Sequence, residues 1–146
     1  MDSTGGRPAK LLTLSPNIGN IISLYFAPDY LEVVLYSINM QILYREKSPI
    51  WINTKEKISE IALKLIDRAK KVSTNKILGI GIAVNGLVDS KNGVSLYSPH
   101  YKWSNFNIKS FFEKATGFNV SIENDVRIMA IGEKNMVLEK IWKTLY

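Results

Sequence analysis

Cysteine is missing altogether from this 146-residue chain, and histidine occurs once, at His100. The first absence rules out a disulfide framework and any zinc site built on thiolates. The second leaves no pair of imidazoles from which to start a metal site, so no metal is expected. A reducing, cytoplasmic setting fits this composition. Also missing is any uninterrupted apolar run near the roughly 18 residues needed to span a bilayer. Met1 to Gly6 lacks the basic and apolar regions of a secretory leader, and the chain reads as soluble, with no membrane partner. Acidic residues are outnumbered, 13 against 19 basic, for a net charge of +6. The excess is spread over Lys47, Lys55, Lys64, Lys91, Lys109 and Lys134 rather than gathered into a run, which describes a solvated surface better than a nucleic-acid footprint. What the chain does have is apolar content: 46% hydrophobic residues, enough for the core of one domain or of one lobe of something larger.

The first ten residues, MDSTGGRPAK, are small and breaker-rich and look like an arm leading into a domain that begins near Lys10. Leu11, Leu12 and Leu14 predict a short leading strand. Ile21 to Phe26, Leu31 to Ile38 and Gln41 to Lys47 predict three more, joined by connections short enough for an antiparallel meander. The period then changes. Ile58, Ile61, Ala62, Leu65, Ile66, Ala69 and Val72 recur at helical spacing, and Asn53 with Glu56 forms an amide variant of the capping box that starts this helix near Thr54. Ile77 to Val84, ILGIGIAV, is too short and too β-branched for another helix, and predicts a buried, central, parallel strand. A shorter helix follows from Asn107, with Ile108, Phe111, Phe112 and Ala115 on one side and Gly117 just past its end. Phe118 to Ile122 then predicts a strand. From Asn124 a helix, with Val126, Met129 and Ala130 inward, runs to about Gly132 or beyond. The predicted order is β-β-β-α-β-α-β-α after the leading strand: an α/β fold with a mixed sheet and helices packed on it.

Ligands of such sheets settle outside the carboxyl ends of the parallel strands. Two strand ends carry suggestive chemistry. After Val84, Gly86 lets backbone come close to a ligand, and Asp89 begins a turn that closes at Asn92 and Gly93. After the later strand, Asn124 and Asp125 offer an amide beside a carboxylate, a pair suited to the hydroxyls of a polyol. In the first turn of its helix, Asp125 would be favoured as an anion by the helix dipole, ready to accept a hydroxyl proton. Asn and Asp are equally the commonest helix caps, and Asp followed by Asn-Gly is an ordinary turn, so cap and ligand both remain open here.

Gly79 to Trp103, GIGIAVNGLVDSKNGVSLYSPHYKW, followed by Asn107 to Glu133, NIKSFFEKATGFNVSIENDVRIMAIGE, resembles the ROK family of repressors and sugar kinases. The resemblance is strong over residues 77 to 133 and weaker over 10 to 50. It implies the N-terminal lobe of an actin-like, ribonuclease-H-like ATPase fold. It also implies a backbone contact to sugar at Gly86, a sugar-hydroxyl ligand at Asn124, and at Asp125 the position that serves kinase members as catalytic base. Two positions depart from the family pattern: Asn85 stands where proline is usual, and His100 stands in the Pro-Asn position. A larger departure lies at Leu24-Tyr25-Phe26-Ala27-Pro28-Asp29, where kinase members carry the phosphate-binding pattern DxGGT. A tyrosine replaces the acid, Pro28 has no N–H to offer, and Asp29 would repel a phosphate, so no ATP or other cofactor is expected.

The resemblance therefore implies the sugar-sensing lobe of a ROK-type repressor. The alternatives are the lobe of a ROK sugar kinase with Asp125 as base, and an actin-like fold kept for protein contacts alone. Residues 3 to 14 resemble the junction between a DNA-binding domain and the sensing body in ROK repressors, with Gly-Arg-Pro suited either to a minor groove or to a flexible linker. No helix-turn-helix precedes it, so DNA would be reached only through a domain absent from this chain. The expected organisation is an arm at 1–9, the lobe at 10–133, and at 134–146 a helical extension or the start of a second lobe. A lone lobe exposes the face its partner would cover, which predicts self-association into a homo-oligomer.

Overall fold

The computed structural model describes residue 15 and residues 17–51 and 54–145. The expected leading strand at Leu11 to Leu14, the junction at residues 3 to 14 and the capping residue Asn53 lie outside the described residues.

The meander is present as β1 (Asn20–Phe26), β2 (Tyr30–Ser37) and β3 (Ile42–Pro49), followed by α1 (Lys55–Val72) and β4 (Ile77–Val84). Then come β5 (Leu87–Asp89), β6 (Val94–Ser98), β7 (Trp103–Phe106), α2 (Ile108–Thr116), β8 (Val120–Asn124) and α3 (Asp125–Leu145). The main sheet has the order β3-β2-β1-β4-β8. Its meander half is antiparallel, whereas β1, β4 and β8 run parallel. β4 lies inside the sheet between β1 and the edge strand β8, parallel to both as its apolar run predicts, while β1 holds the middle.

Strict alternation along β1 buries Asn20, Ile22, Leu24 and Phe26 and leaves Ile21, Ser23 and Tyr25 on the other face. The buried face carries Leu31, Val33, Leu35, Ile80, Ile82, Val84, Val120 and Ile122, covered by Ile58, Ala62, Leu65, Ile66 and Ala69 of α1 and by Ile108 and Phe112 of α2. Burying a large aliphatic side chain contributes about 1.5–3 kcal/mol, so this single layer holds the sheet and its two helices as one body. The N-cap of α1 is Thr54, not the expected Asn53, because the Thr54 hydroxyl accepts from Lys57 N at 3.3 Å. Asn107 caps α2 by accepting from Ser110 N at 3.0 Å, and Gly117 ends it at φ 75°.

Three expectations need correction. The order is β-β-β-α-β-β-β-β-α-β-α, because β5, β6 and β7 form a second, three-stranded sheet where the sequence predicted only turns. These strands are three to five residues long, too short for a readable alternation. They are fixed instead by a buried aromatic group: Tyr101 stacks on Trp103 at 4.7 Å, Phe26 meets both edge-on, and Trp103 Nε1 donates to Ser95 Oγ at 2.9 Å. Second, the last strand ends at Asn124 rather than Ile122, because Glu123 and Asn124 pair with Ala83 and Val84 of β4. Third, α3 does not turn Val126, Met129 and Ala130 inward. Val126 and Met129 are 65% and 57% exposed, and Ala130 is exposed as well. The helix leaves an edge strand and continues unbroken to Leu145, and its Ile128 and Ile131 line an open cleft together with Ser23, Gly81, Ala83 and Ser121 of the sheet. Among the described residues, no helix is long and apolar enough to cross a membrane.

Candidate functional site

Register places the carboxyl ends of the three parallel strands side by side, Phe26 against Val84 and Val84 against Asn124. Residues that leave those ends must therefore meet. Asn124 Nδ2 donates to the carbonyl of Gly86 at 2.6 Å, joining loops 38 positions apart in sequence. Gly86 sits at φ 106°, and a Cβ built there would lie 2.2 Å from Tyr97 O and 3.0 Å from Ser98 Cα. Only glycine passes between β4 and the β6 end without displacing backbone.

Asn124 is both cap and tie. Its Oδ1 accepts from Arg127 N at 3.0 Å, and its amide nitrogen holds Gly86. Its main-chain N–H in turn donates to Glu123 Oε1 at 2.9 Å, and Glu123 reaches Arg127 at 3.6 Å. Asp125 is the first residue of α3 and only 6% exposed. Its Oδ1 accepts from Val126 N at 2.9 Å. Its Oδ2 faces Tyr25, whose hydroxyl donates across 3.5 Å. Gly86, Asn124 and Asp125 thus share one rim of the sheet, as the sequence predicted.

Sequence reasoning singled out Tyr25 for the acid it replaces, not for its contact with Asp125. Alternation along β1 is the signal that could have found it, since it puts Tyr25 on the face opposite Leu24 and Phe26, one residue from the strand end. Burial, followed by the charge of Asp125, raises the Tyr25 hydroxyl above its usual pKa and keeps it a donor. Asp89, by contrast, ends β5 and ties the turn that follows it, accepting from Asn92 N at 3.1 Å and from Asn92 Nδ2 at 2.8 Å. His100 lies exposed in the loop before β7.

The turn that would cradle a phosphate is closed by its own contacts. Ala27 N donates to Tyr30 O at 3.0 Å, Ala27 O accepts from the buried Tyr101 hydroxyl, Pro28 has no N–H, and Asp29 O accepts from Ile50 N at 2.9 Å.

A sequence profile described as the ROK family matches residues 22–145. A xylose repressor of Caldicellulosiruptor bescii is 31% identical over 136 residues, which is 90% of this chain and 34% of that protein. This chain therefore spans about a third of the length of the curated repressors it matches. Among solved structures, a ROK family transcriptional regulator described as a homologue of the E. coli MLC protein superposes with a TM-score of 0.72 at 28% identity, over 81% of this chain and 31% of that one. A ROK hexokinase from Thermus thermophilus shares the fold, with a TM-score of 0.65 at 22% identity over 73% of this chain and 35% of that one. The mixed sheet, its helices and the profile match from β1 to the end of α3 agree: the chain belongs to the ROK family and folds as an actin-like lobe.

Proposed function

We propose that this chain is the sugar-sensing lobe of a ROK-type transcriptional repressor. The observation that carries the reading is the Asp125 carboxylate, buried at the strand-end rim, with one oxygen held by α3 and the other facing a hydroxyl no nearer than 3.5 Å. A sugar hydroxyl supplies the close donor that this oxygen lacks. Asn124 and the backbone of Gly86 flank the same rim and complete the effector site. Because relatives are named xylose repressors, D-xylose heads the candidate effectors. DNA contact is assigned to a domain outside this chain, and the setting is cytoplasmic. We keep the lobe at 10–133, with 1–9 as its arm and 134–146 as the helical continuation toward a second lobe.

The competing reading is a ROK sugar kinase lobe with Asp125 as base. Against it stands the β1–β2 turn, where Ala27 is already hydrogen-bonded at both main-chain groups and Pro28 and Asp29 disfavour phosphate. Titration calorimetry with D-xylose, D-glucose and N-acetylglucosamine tests the proposal. The wild-type chain should bind at least one of them, and Asp125→Ala should lose that binding. Equal binding by the variant, or none by the wild type, would overturn it. ATP-dependent phosphorylation of the bound sugar well above background would establish the kinase instead.

A further inference from the structure

Building on the sugar-binding reading above, we propose that Tyr25 is a positioning residue of the effector site, orienting the Asp125 carboxylate and sharing with it a single hydroxyl of a neutral, unphosphorylated sugar. Tyr25 stands one residue before the end of β1, opposite Ala83 on one side and Glu32 on the other. Its ring is braced edge-on by Tyr30 at 6.2 Å, and Lys47 in turn lies over the Tyr30 ring at 4.6 Å. The hydroxyl is thereby aimed at Asp125 from a fixed support.

The contact is long. A hydroxyl donating to a carboxylate ordinarily sits about 2.5–2.7 Å away, whereas Tyr25 is 3.5 Å from Oδ2. No other described donor is recorded at that oxygen, although the residue is 6% exposed. A buried carboxylate oxygen served by one weak bond is incompletely solvated and ready for a further partner. An alcohol is amphoteric, so one sugar hydroxyl can donate to Asp125 Oδ2 while accepting from Tyr25. A phosphate dianion in that hydroxyl's place can accept from Tyr25 but has no proton for Asp125 Oδ2, whose charge it would face. The N–H groups that would welcome an anion at the start of α3 are also spent, Val126 N on Asp125 and Arg127 N on Asn124.

Tyr25 stays protonated through the neutral range, since burial, Asp125, Tyr30 and Asp29 all push its ionisation upward. Glu32, across the β1–β2 pair, is held by Arg45 at 2.9 Å.

The test is a Cζ-labelled tyrosine NMR titration of this chain, with the Tyr25 resonance assigned by its loss in Tyr25→Phe. In Asp125→Asn the titration of Tyr25 should move down toward that of a free tyrosine. Saturating D-xylose, or whichever neutral sugar binds, should shift the Tyr25 resonance in the wild type. Calorimetry should show Tyr25→Phe weakening sugar binding about tenfold, the loss of one hydrogen bond in a charged network, with Tyr36→Phe unchanged. The corresponding sugar phosphate should not bind. Unchanged affinity in Tyr25→Phe, an unmoved Tyr25 resonance at saturation, or tight binding of the phosphate would overturn the proposal. A wild type that binds none of the sugars would overturn the sensor reading and this proposal together. An Asp125→Asn variant in which Tyr25 titrates as before would show that the pair itself fails, whatever the sugar result.

Discussion

Replacing Gly86 by alanine should be among the most damaging single-methyl changes available to this lobe. The residue sits at φ 106°, where a side chain costs about 1–3 kcal/mol in backbone strain. The new Cβ would lie 2.2 Å from Tyr97 O and 3.0 Å from Ser98 Cα, both main-chain atoms, so no side-chain rotation relieves the clash. Overpacking of this kind adds roughly 1–3 kcal/mol, for a total of about 2–6 kcal/mol. With a urea dependence of about 2 kcal/mol per molar, the unfolding midpoint should fall by roughly 1–3 M. The displaced loop would also pull the Gly86 carbonyl from Asn124 Nδ2, now at 2.6 Å, and sugar affinity should fall with stability. Gly81→Ala is the control, since a Cβ there meets nothing within 4 Å, and its midpoint should stay near or slightly above that of the wild type. If the two variants unfold at the same urea concentration, the account of the β4–β5 crossing is wrong.

Tyr101→Phe should destabilise by about 1–3 kcal/mol in urea melts, because it leaves the buried Ala27 carbonyl without its donor. Burial, then Tyr25 and Asp29, raise the Tyr101 phenol far above its usual pKa near 10. Its contribution is therefore fully present below pH 10 and is lost as alkali ionises the unfolded chain first. Stability measured from pH 9 to 11 should fall in the wild type and fall less in the phenylalanine variant. Thr54→Ala, which removes the cap on Lys57 N, should cost about 1 kcal/mol by the same melts. The exposed residues Val126, Ile128, Met129 and Ile131 should drive concentration-dependent self-association in sedimentation velocity, relieved by Ile128→Glu. A monomer at high concentration would refute this.

The parts of the fold that were legible in the sequence are those with long, consistent periods. The amphipathic spacing of Ile58 to Val72 gave α1, and the Ile77 to Val84 run gave β4 at the same residues as the structure. The second sheet was not legible, because residues such as Ser95, Tyr97 and Trp103 sit in segments of a few residues, and the rings of Tyr101 and Trp103 pack against Phe26 of the distant β1. α3 misled for a related reason. Val126, Met129 and Ala130 carry a helical apolar period, yet nothing in a local pattern says whether a surface exists for them to meet. At the site, the meeting of Gly86 with Asn124 followed from parallel strand order, which the sequence supports. Alternation along β1 puts Tyr25 on the open face, but its approach to Asp125 also needs the registers of β1 on β4 and of β4 on β8, which no local pattern encodes.

The unbroken run of α3 gives Asp125 a mechanical reach. A helix of 21 residues is roughly 30 Å long, so a tilt of about 5° at its root carries its tip through roughly 2–3 Å. The root is the residue whose carboxylate faces Tyr25, so a settling of that carboxylate that draws its backbone along would tilt the helix at its root. Anything resting against the tip would then feel such a tilt magnified, as a pointer's end magnifies the turn of its pivot.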